Sequence, residues 1–296
     1  MPYVILGGAQ LAVGAAAIFA RWALGGAQPL AVSAARLAIA ALLLLMASAF
    51  ARGAARRPVS KRENVLLGFA GIALAIHFST WIASLEYTTV AISTLIVSTT
   101  PIWTAIYDAI VLKRRYSALA TGAFAAGVAG MAMVVAFDAT RPPNPGHEVL
   151  GWLLALIGSL GIGAYFIIVR EVRADLGTRQ IVTRTYSWAA AALVAAALVA
   201  HQPLPPLQAS AAWGGILAMA FVSQLLGHTA LNAALRWFSP SAIAFSTLLE
   251  PVAAAGLALL IFGEAVPPLA IVGGVVLLVS IALVLREDRA WTNPIV

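Results

Sequence analysis

Apolar residues come in runs of about 20 along this chain. That is the length an α-helix, rising 1.5 Å per residue, needs to cross a ~30 Å hydrocarbon layer. The runs are 3–20, 30–50, 65–85, 90–111, 118–137, 149–169, 181–200, 212–235, 241–262 and 267–285. They mix Ala, Leu, Val, Ile and Gly without strict alternation over ten-residue segments, which argues against a membrane β-barrel. Two of the runs share a flaw. TLIVSTTPIWTAIYDAIVL carries Pro101 near its middle, and SAIAFSTLLEPVAAAGLALLIF carries Glu250-Pro251. A proline removes a helical hydrogen bond, and a carboxylate in hydrocarbon is costly, so both weigh against a plain membrane helix.

Composition sharpens the class. Of 296 residues, 62% are hydrophobic and 10% charged, whereas a soluble domain is about 25% charged. A soluble fold is excluded and an all-α membrane protein is expected. The net charge of +7 raises the question of nucleic acid, but its placement answers it. Apart from Arg21, Arg36 and Arg141, every Lys and Arg falls in alternate connections: Arg52 to Arg62, Lys113 to Arg115, Arg170 to Arg184, Arg236, and Arg286 with Arg289. This is the positive-inside bias, and it predicts ten transmembrane helices with both termini cytoplasmic and no nucleic-acid partner. With no Cys, disulfide, iron–sulfur and thiolate chemistry are absent. The first run lacks a basic leader and is followed by nine more, so it is expected to stay as a span rather than be cleaved.

The Pro-rich stretch DATRPPNPGH (138–147) divides the chain into repeats at 1–140 and 146–296, each with five spans. Five is odd, so the halves are expected to lie inverted in the membrane. At an offset of 150 residues Ala83 meets Ala233, Leu85 meets Leu235, Pro101 meets Pro251 and Ala105 meets Ala255. The shared mid-span proline carries more weight than identities in Ala/Leu-rich sequence. Inverted repeats with interrupted helices near the midplane are a transporter architecture.

Polar and aromatic side chains gather on helical faces. His77, Trp81 and Ser84 stand at i, i+4 and i+7. On the next span Thr99 or Thr100, Trp103 and Tyr107 do the same, and Gln224, His228 and Asn232 follow at i, i+4 and i+8. His77 and His228 are nearly equivalent under the repeat offset, so their stripes are expected to face each other across a central cavity. The competing reading is helix-to-helix glue, at about 0.6 kcal/mol per hydrogen bond. For Trp81, Trp103 and Tyr107 the competing reading is packing or an interfacial aromatic belt, for which Trp103 lies too deep. With Tyr165 of the sixth span, the candidate substrate-contacting set is His77, Trp81, Trp103, Tyr107, Tyr165, Gln224, His228 and Asn232.

Glu250 is the costliest residue. Pro251 leaves the Thr247 carbonyl without its helical donor, so that carbonyl needs protein or water nearby. Pro101, Glu250 and Pro251 are read as hinge or gating residues; the alternative for Glu250 is a buried carboxyl, neutral or paired with Arg36. Asp108 has Val111 and Leu112 at i+3 and i+4, hence no local counter-charge, and is expected to reach the interface, with proton coupling the other reading. Gly122, Ala126 and Gly130 form a small-xxx-small ladder expected to pack against a neighbour.

Residues 246–279, STLLEPVAAAGLALLIFGEAVPPLAIVGGVVLLV, resemble the repeat-ending pattern of the EamA family in the drug/metabolite transporter superfamily. Gly8 to Leu45, with RLAIAALLLL opening at Arg36, is similar to its first helix pair, and GWLLALIGSLGIGAYFIIVR to its sixth helix. The resemblance implies ten helices in two five-helix repeats. One departure is that Gly263-Glu264 of the second half stands where the first half has Lys113-Arg114.

Function follows by elimination and resemblance. A membrane enzyme needs clustered ligands or a nucleophile–base pair, and none is present, so no cofactor or metal is expected. A phosphorylated substrate wants Lys or Arg in the cavity, and only Arg36 lies near the membrane interior. Aromatics with His, Gln and Asn suit a zwitterion with an apolar body. The resemblance extends to exporters of the YddG type and implies export of aromatic or apolar amino acids across a bacterial inner membrane by alternating access. Exporters of lipophilic cations and carriers of nucleotide sugars or other metabolites remain the alternatives.

Overall fold

The computed structural model describes residues 1–50, 57–135, 144–253, 256 and 268–292, and every regular element among them is helical. Helix α1 (Pro2–Gly14) and α2 (Ala16–Leu24) form one slightly broken rod, followed by α3 (Pro29–Phe50) and α4 (Lys61–Ser84). Two short helices, α5 (Val90–Val97) and α6 (Thr100–Ile110), precede α7 (Ala118–Val135), α8 (Glu148–Arg173) and α9 (Thr178–Val199). Next, α10 (Ser210–Ala218) runs into a π-helical segment (Met219–His228) and then α11 (Thr229–Ala234). Helix α12 (Pro240–Ser246), a 3₁₀ turn (Thr247–Leu249), helical residues 250–253 and α13 (Pro268–Thr292) complete the described chain.

Polar residues set the ends of the apolar rods. Ser60 and Glu63 cap α4 reciprocally: the Glu63 N–H donates to Ser60 Oγ, and the Ser60 N–H to Glu63 Oε2 at 2.7 Å. Thr89 and Ser239 accept the Ile92 and Ala242 N–H groups at the starts of α5 and α12.

Seven described helices are long and apolar enough to cross a membrane: Pro2–Leu24, Pro29–Phe50, Lys61–Ser84, Glu148–Arg173, Thr178–Val199, Ser210–Ala234 and Pro268–Asp288. Ala118–Met133 is a shorter apolar helix. The two proline-bearing runs, expected as spans 90–111 and 241–262, are not continuous rods: the first divides into α5 and α6, and the second passes through the 3₁₀ turn before Glu250. The far part of the second, with Gly263 and Glu264, lies outside the described residues, as do 136–143.

The prolines explain both breaks, and the carbonyls they orphan are met locally. Ahead of Pro101, the Val97 carbonyl accepts from Thr100 Oγ1 at 2.7 Å. Ahead of Pro251, the Thr247 carbonyl expected to lack a donor takes the Glu250 N–H in a 3₁₀ turn, and Thr247 Oγ1 donates to the Ala244 carbonyl at 2.7 Å.

Small residues let the helices touch. A Cβ on Gly161 of α8 would lie 2.9 Å from the Ala73 carbonyl oxygen of α4, and one on Gly71 would lie 2.5 Å from Trp188 Cβ of α9. In the Gly122–Ala126–Gly130 ladder, Gly130 meets the Gly273 carbonyl of α13, while Gly122 has open space.

Candidate functional site

A cavity of about 40 Å³ sits in the middle of the bundle. It is lined by His77, Phe78 and Trp81 of α4, Thr94 and Val97 of α5, Thr100 of α6, and Ile162 and Phe166 of α8. Val13, Ala16, His228, Leu231, Thr247 and Glu250 close the other side. One water needs roughly 10–15 Å³ of such space, so this conformation has room for a few waters. The two interrupted helices both contribute, Thr100 beside Pro101 and Glu250 beside Pro251. Their breaks therefore lie at the cavity wall.

The imidazoles of His77 and His228 approach to 6.5 Å between ring centroids. His77 Nδ1 donates to the Gly158 carbonyl at 2.9 Å; a carbonyl only accepts, so Nδ1 carries the proton and Nε2 is the free nitrogen. Its ring lies nearly parallel to Trp81, at 5° and 6.2 Å. His228 packs edge-on against Phe78 at 5.1 Å, and its buried Nδ1 has no hydrogen-bond partner. An apolar wall carrying an indole, two imidazoles and one carboxyl is suited to a compact solute with polar groups and an apolar body.

The other predicted residues lie outside that lining. Tyr165 donates to Asn232 Oδ1 at 2.8 Å, and Asn232 Nδ2 donates to the His228 carbonyl at 2.8 Å, tying α8 to α11. Gln224 Oε1 accepts from Arg36 Nη2 at 2.8 Å. Trp103 and Tyr107 are partly exposed on α6. The stripe of Gln224, His228 and Asn232 thus fans out toward three different neighbours. Apolar members of the lining, Phe78 and Phe166 above all, gave no sign in the sequence because an apolar residue in an apolar run has none to give.

Arg36 corrects one expectation. It is fully buried, and its partners are Gln224, Met219 Sδ at 3.7 Å and the face of the Phe78 ring at 4.0 Å, not Glu250.

A second polar cluster corrects another. Asp108, expected to lack a local counter-charge, is buried and has one: it accepts from Tyr116 Oη at 3.0 Å and Ser241 Oγ at 2.8 Å, with Arg114 Nη1 3.6 Å away. The counter-charge was missed because it lies beyond the helix end. Lys113 takes a left-handed φ of 54°, turning the chain so that Arg114 folds back over α6. Arg114 Nη1 also meets Asp288 of α13 at 2.6 Å, and the Ser239 N–H donates to Asp288 Oδ2 at 2.8 Å. Burial, and the neighbouring Asp108 carboxylate, raise the Tyr116 phenol above its ordinary range, so it stays a neutral donor. Among the described residues no group of three His, Cys, Asp or Glu could hold a metal ion.

Fold and cavity together define a multi-pass helical membrane protein built around an internal, largely apolar cavity that carries a few polar groups. A model of the EamA-like transporter family matches residues 2–136 and again 149–286. The chain belongs to that family, and so to the membrane transporters of the drug/metabolite superfamily, with one family repeat in each half. Comparison with curated proteins returns no match. A solved structure titled only as the crystal structure of a protein superposes with a TM-score of 0.78 at 16% identity, covering 99% of both chains; it shows the fold alone.

Proposed function

We infer that this chain is an exporter of small amino acid-like metabolites, aromatic or apolar ones foremost, working by alternating access through the central cavity. One observation carries the reading: His77 and His228, from different halves, meet in a cavity lined also by Trp81 and Glu250. His77, Trp81 and His228 are the side chains placed to touch a solute. Tyr165, Gln224 and Asn232 position the wall behind them, and Trp103 and Tyr107 stand on the α6 side of the route.

The same reading takes the chain as ten spans in two inverted repeats, 1–140 and 146–296, with both termini cytoplasmic in a bacterial inner membrane. The packing supports the inversion. Helices equivalent under the repeat pair with each other, α3 with α9, α6 with α12 and α7 with α13, while the α4–α8 contact is mirrored by the π segment on α1. Two copies related by a two-fold axis in the membrane plane pack in this way.

Counterflow in proteoliposomes with labelled amino acids, with and without a pH gradient, tests the substrate class. Accumulation of phenylalanine or tryptophan is expected; failure of all twenty removes the amino-acid reading. Export of lipophilic cations is the second reading, favoured by the one carboxyl in the cavity. It predicts that Glu250→Gln abolishes cation flux and spares amino-acid flux.

A further inference from the structure

Arg36 poses a physical problem that its visible contacts do not solve. It is a guanidinium, always charged, fully buried in the apolar span α3. Among the described residues no carboxylate forms an ion pair with it. It faces one amide oxygen, one thioether sulfur and one aromatic face. Thioether sulfur is a weak acceptor, and the Arg36 Nε–H has no partner at all. The neighbouring Gln224 Nε2 is likewise buried and unpartnered. Buried donors in native proteins are nearly always satisfied, and a buried cation is kept only where an anion or a dense set of acceptors repays its desolvation.

One side chain touches both this guanidinium and the cavity. Phe78 lies under Arg36 with one ring face and also lines the cavity. Its edge contact is His228, whose Nδ1 is unpartnered too. Two buried groups with unmet hydrogen-bonding capacity, Arg36 and His228, thus pack against one aromatic ring, and a third, Gln224, is bonded to the first. The cavity in this conformation has room for only a few waters, so a solute of amino-acid size must displace part of its wall.

We propose that Arg36 is the carboxylate-binding subsite of the transport pathway, covered here by Phe78 and opened when that ring turns aside. A carboxylate has two oxygens that match the guanidinium fork. It would take the free Nε–H and compete with Gln224 Oε1 for Nη2. The apolar body of the solute would then lie along Trp81 and the imidazoles. This assignment rests on the amino-acid reading for its solute but on the unpaired guanidinium for its chemistry.

Thermal-shift titration of the purified full chain tests it with three probes: phenylalanine, phenylalaninamide, which lacks the carboxylate, and phenylacetate, which lacks the amine. Phenylalanine and phenylacetate are expected to stabilise the protein and phenylalaninamide not to. Arg36→Gln should weaken phenylacetate binding about tenfold or more, as expected for losing a charge-assisted hydrogen bond. Gln224→Leu removes the competing acceptor and should tighten it. The assignment is overturned if phenylalaninamide matches phenylalanine, if Arg36→Gln binds phenylacetate like the parent, or if sodium chloride gives the same Arg36-dependent shift. Should Arg36→Gln fail to fold, Gln224→Leu decides, and an unaltered phenylacetate affinity overturns it. If phenylacetate binds through Arg36 while phenylalanine does not, the carboxylate site stands and the amino-acid reading falls.

Discussion

Arg114 and Asp288 form a 2.6 Å ion pair across 174 residues of sequence, both buried, joining the turn after α6 to the end of α13. With Asp108, Ser239 and Ser241 they lock this end of the bundle, because the partners come from α6, the turn after it, the start of α12 and the end of α13.

Breaking that lock leaves buried charge behind. Removing one member of a buried pair typically costs ~3–5 kcal/mol. Arg114→Leu is therefore expected to lower the unfolding temperature strongly in detergent, whereas Asp108→Asn, which keeps its hydrogen bonds from Tyr116 and Ser241 in part, costs less. Equal melting temperatures for Arg114→Leu and the parent would show that the pair holds nothing together.

The prolines divide rate from stability. Pro251→Ala restores a helical donor to the Thr247 carbonyl and should stiffen the break, slowing counterflow without lowering the melting temperature. Glu250→Gln should keep part of the flux. Both variants at the full parental rate would remove the hinge role of this pair.

Thr100→Val strips the hydroxyl from the Val97 carbonyl while keeping shape. That carbonyl is part-buried and the same hydroxyl also meets Ser159 Oγ at 3.0 Å, so the loss lies toward the low end of the about 1–3 kcal/mol of an orphaned buried acceptor; a modest drop in melting temperature is expected, with Thr100→Ser restoring it. A Thr100→Val protein as stable as Thr100→Ser would mean that water serves the carbonyl equally well.

Gly161→Leu adds a side chain where even a Cβ would lie 2.9 Å from the Ala73 carbonyl and 3.0 Å from the His77 nitrogen. Overpacking of this kind costs about 1–3 kcal/mol and would push α4, with His77 and Trp81, out of place. Loss of flux together with lowered stability is expected; normal counterflow would show that α4 and α8 need not sit this close.

Much of this arrangement could be read from residue order, and the exceptions have physical causes. Apolar run lengths marked the helices, and Pro101 and Pro251 marked the two that break, since proline acts through its own backbone. His77 and His228 stood out because polar residues are rare in such runs. Phe78 was silent, being one apolar residue among many. The partner of Asp108 was hidden by Lys113, whose left-handed turn carries Arg114 back over a helix that ordinary i+3 and i+4 spacing had left unpaired. The separate partners of Gln224, His228 and Asn232 were also invisible, because spacing places residues on a face without naming the neighbours that face meets, and the π winding of residues 219–228 left no mark in the sequence either.

That winding has a consequence of its own. A π turn is an α turn holding one surplus residue, a piece of slack parked between Met219 and His228. Each residue the slack slides past would swivel by about 100°, the angle between neighbours on a helix of 3.6 residues per turn. Two fixed ends and a travelling kink would then be enough to exchange which side chains of this span look inward, as a ratchet re-indexes its teeth without moving its axle.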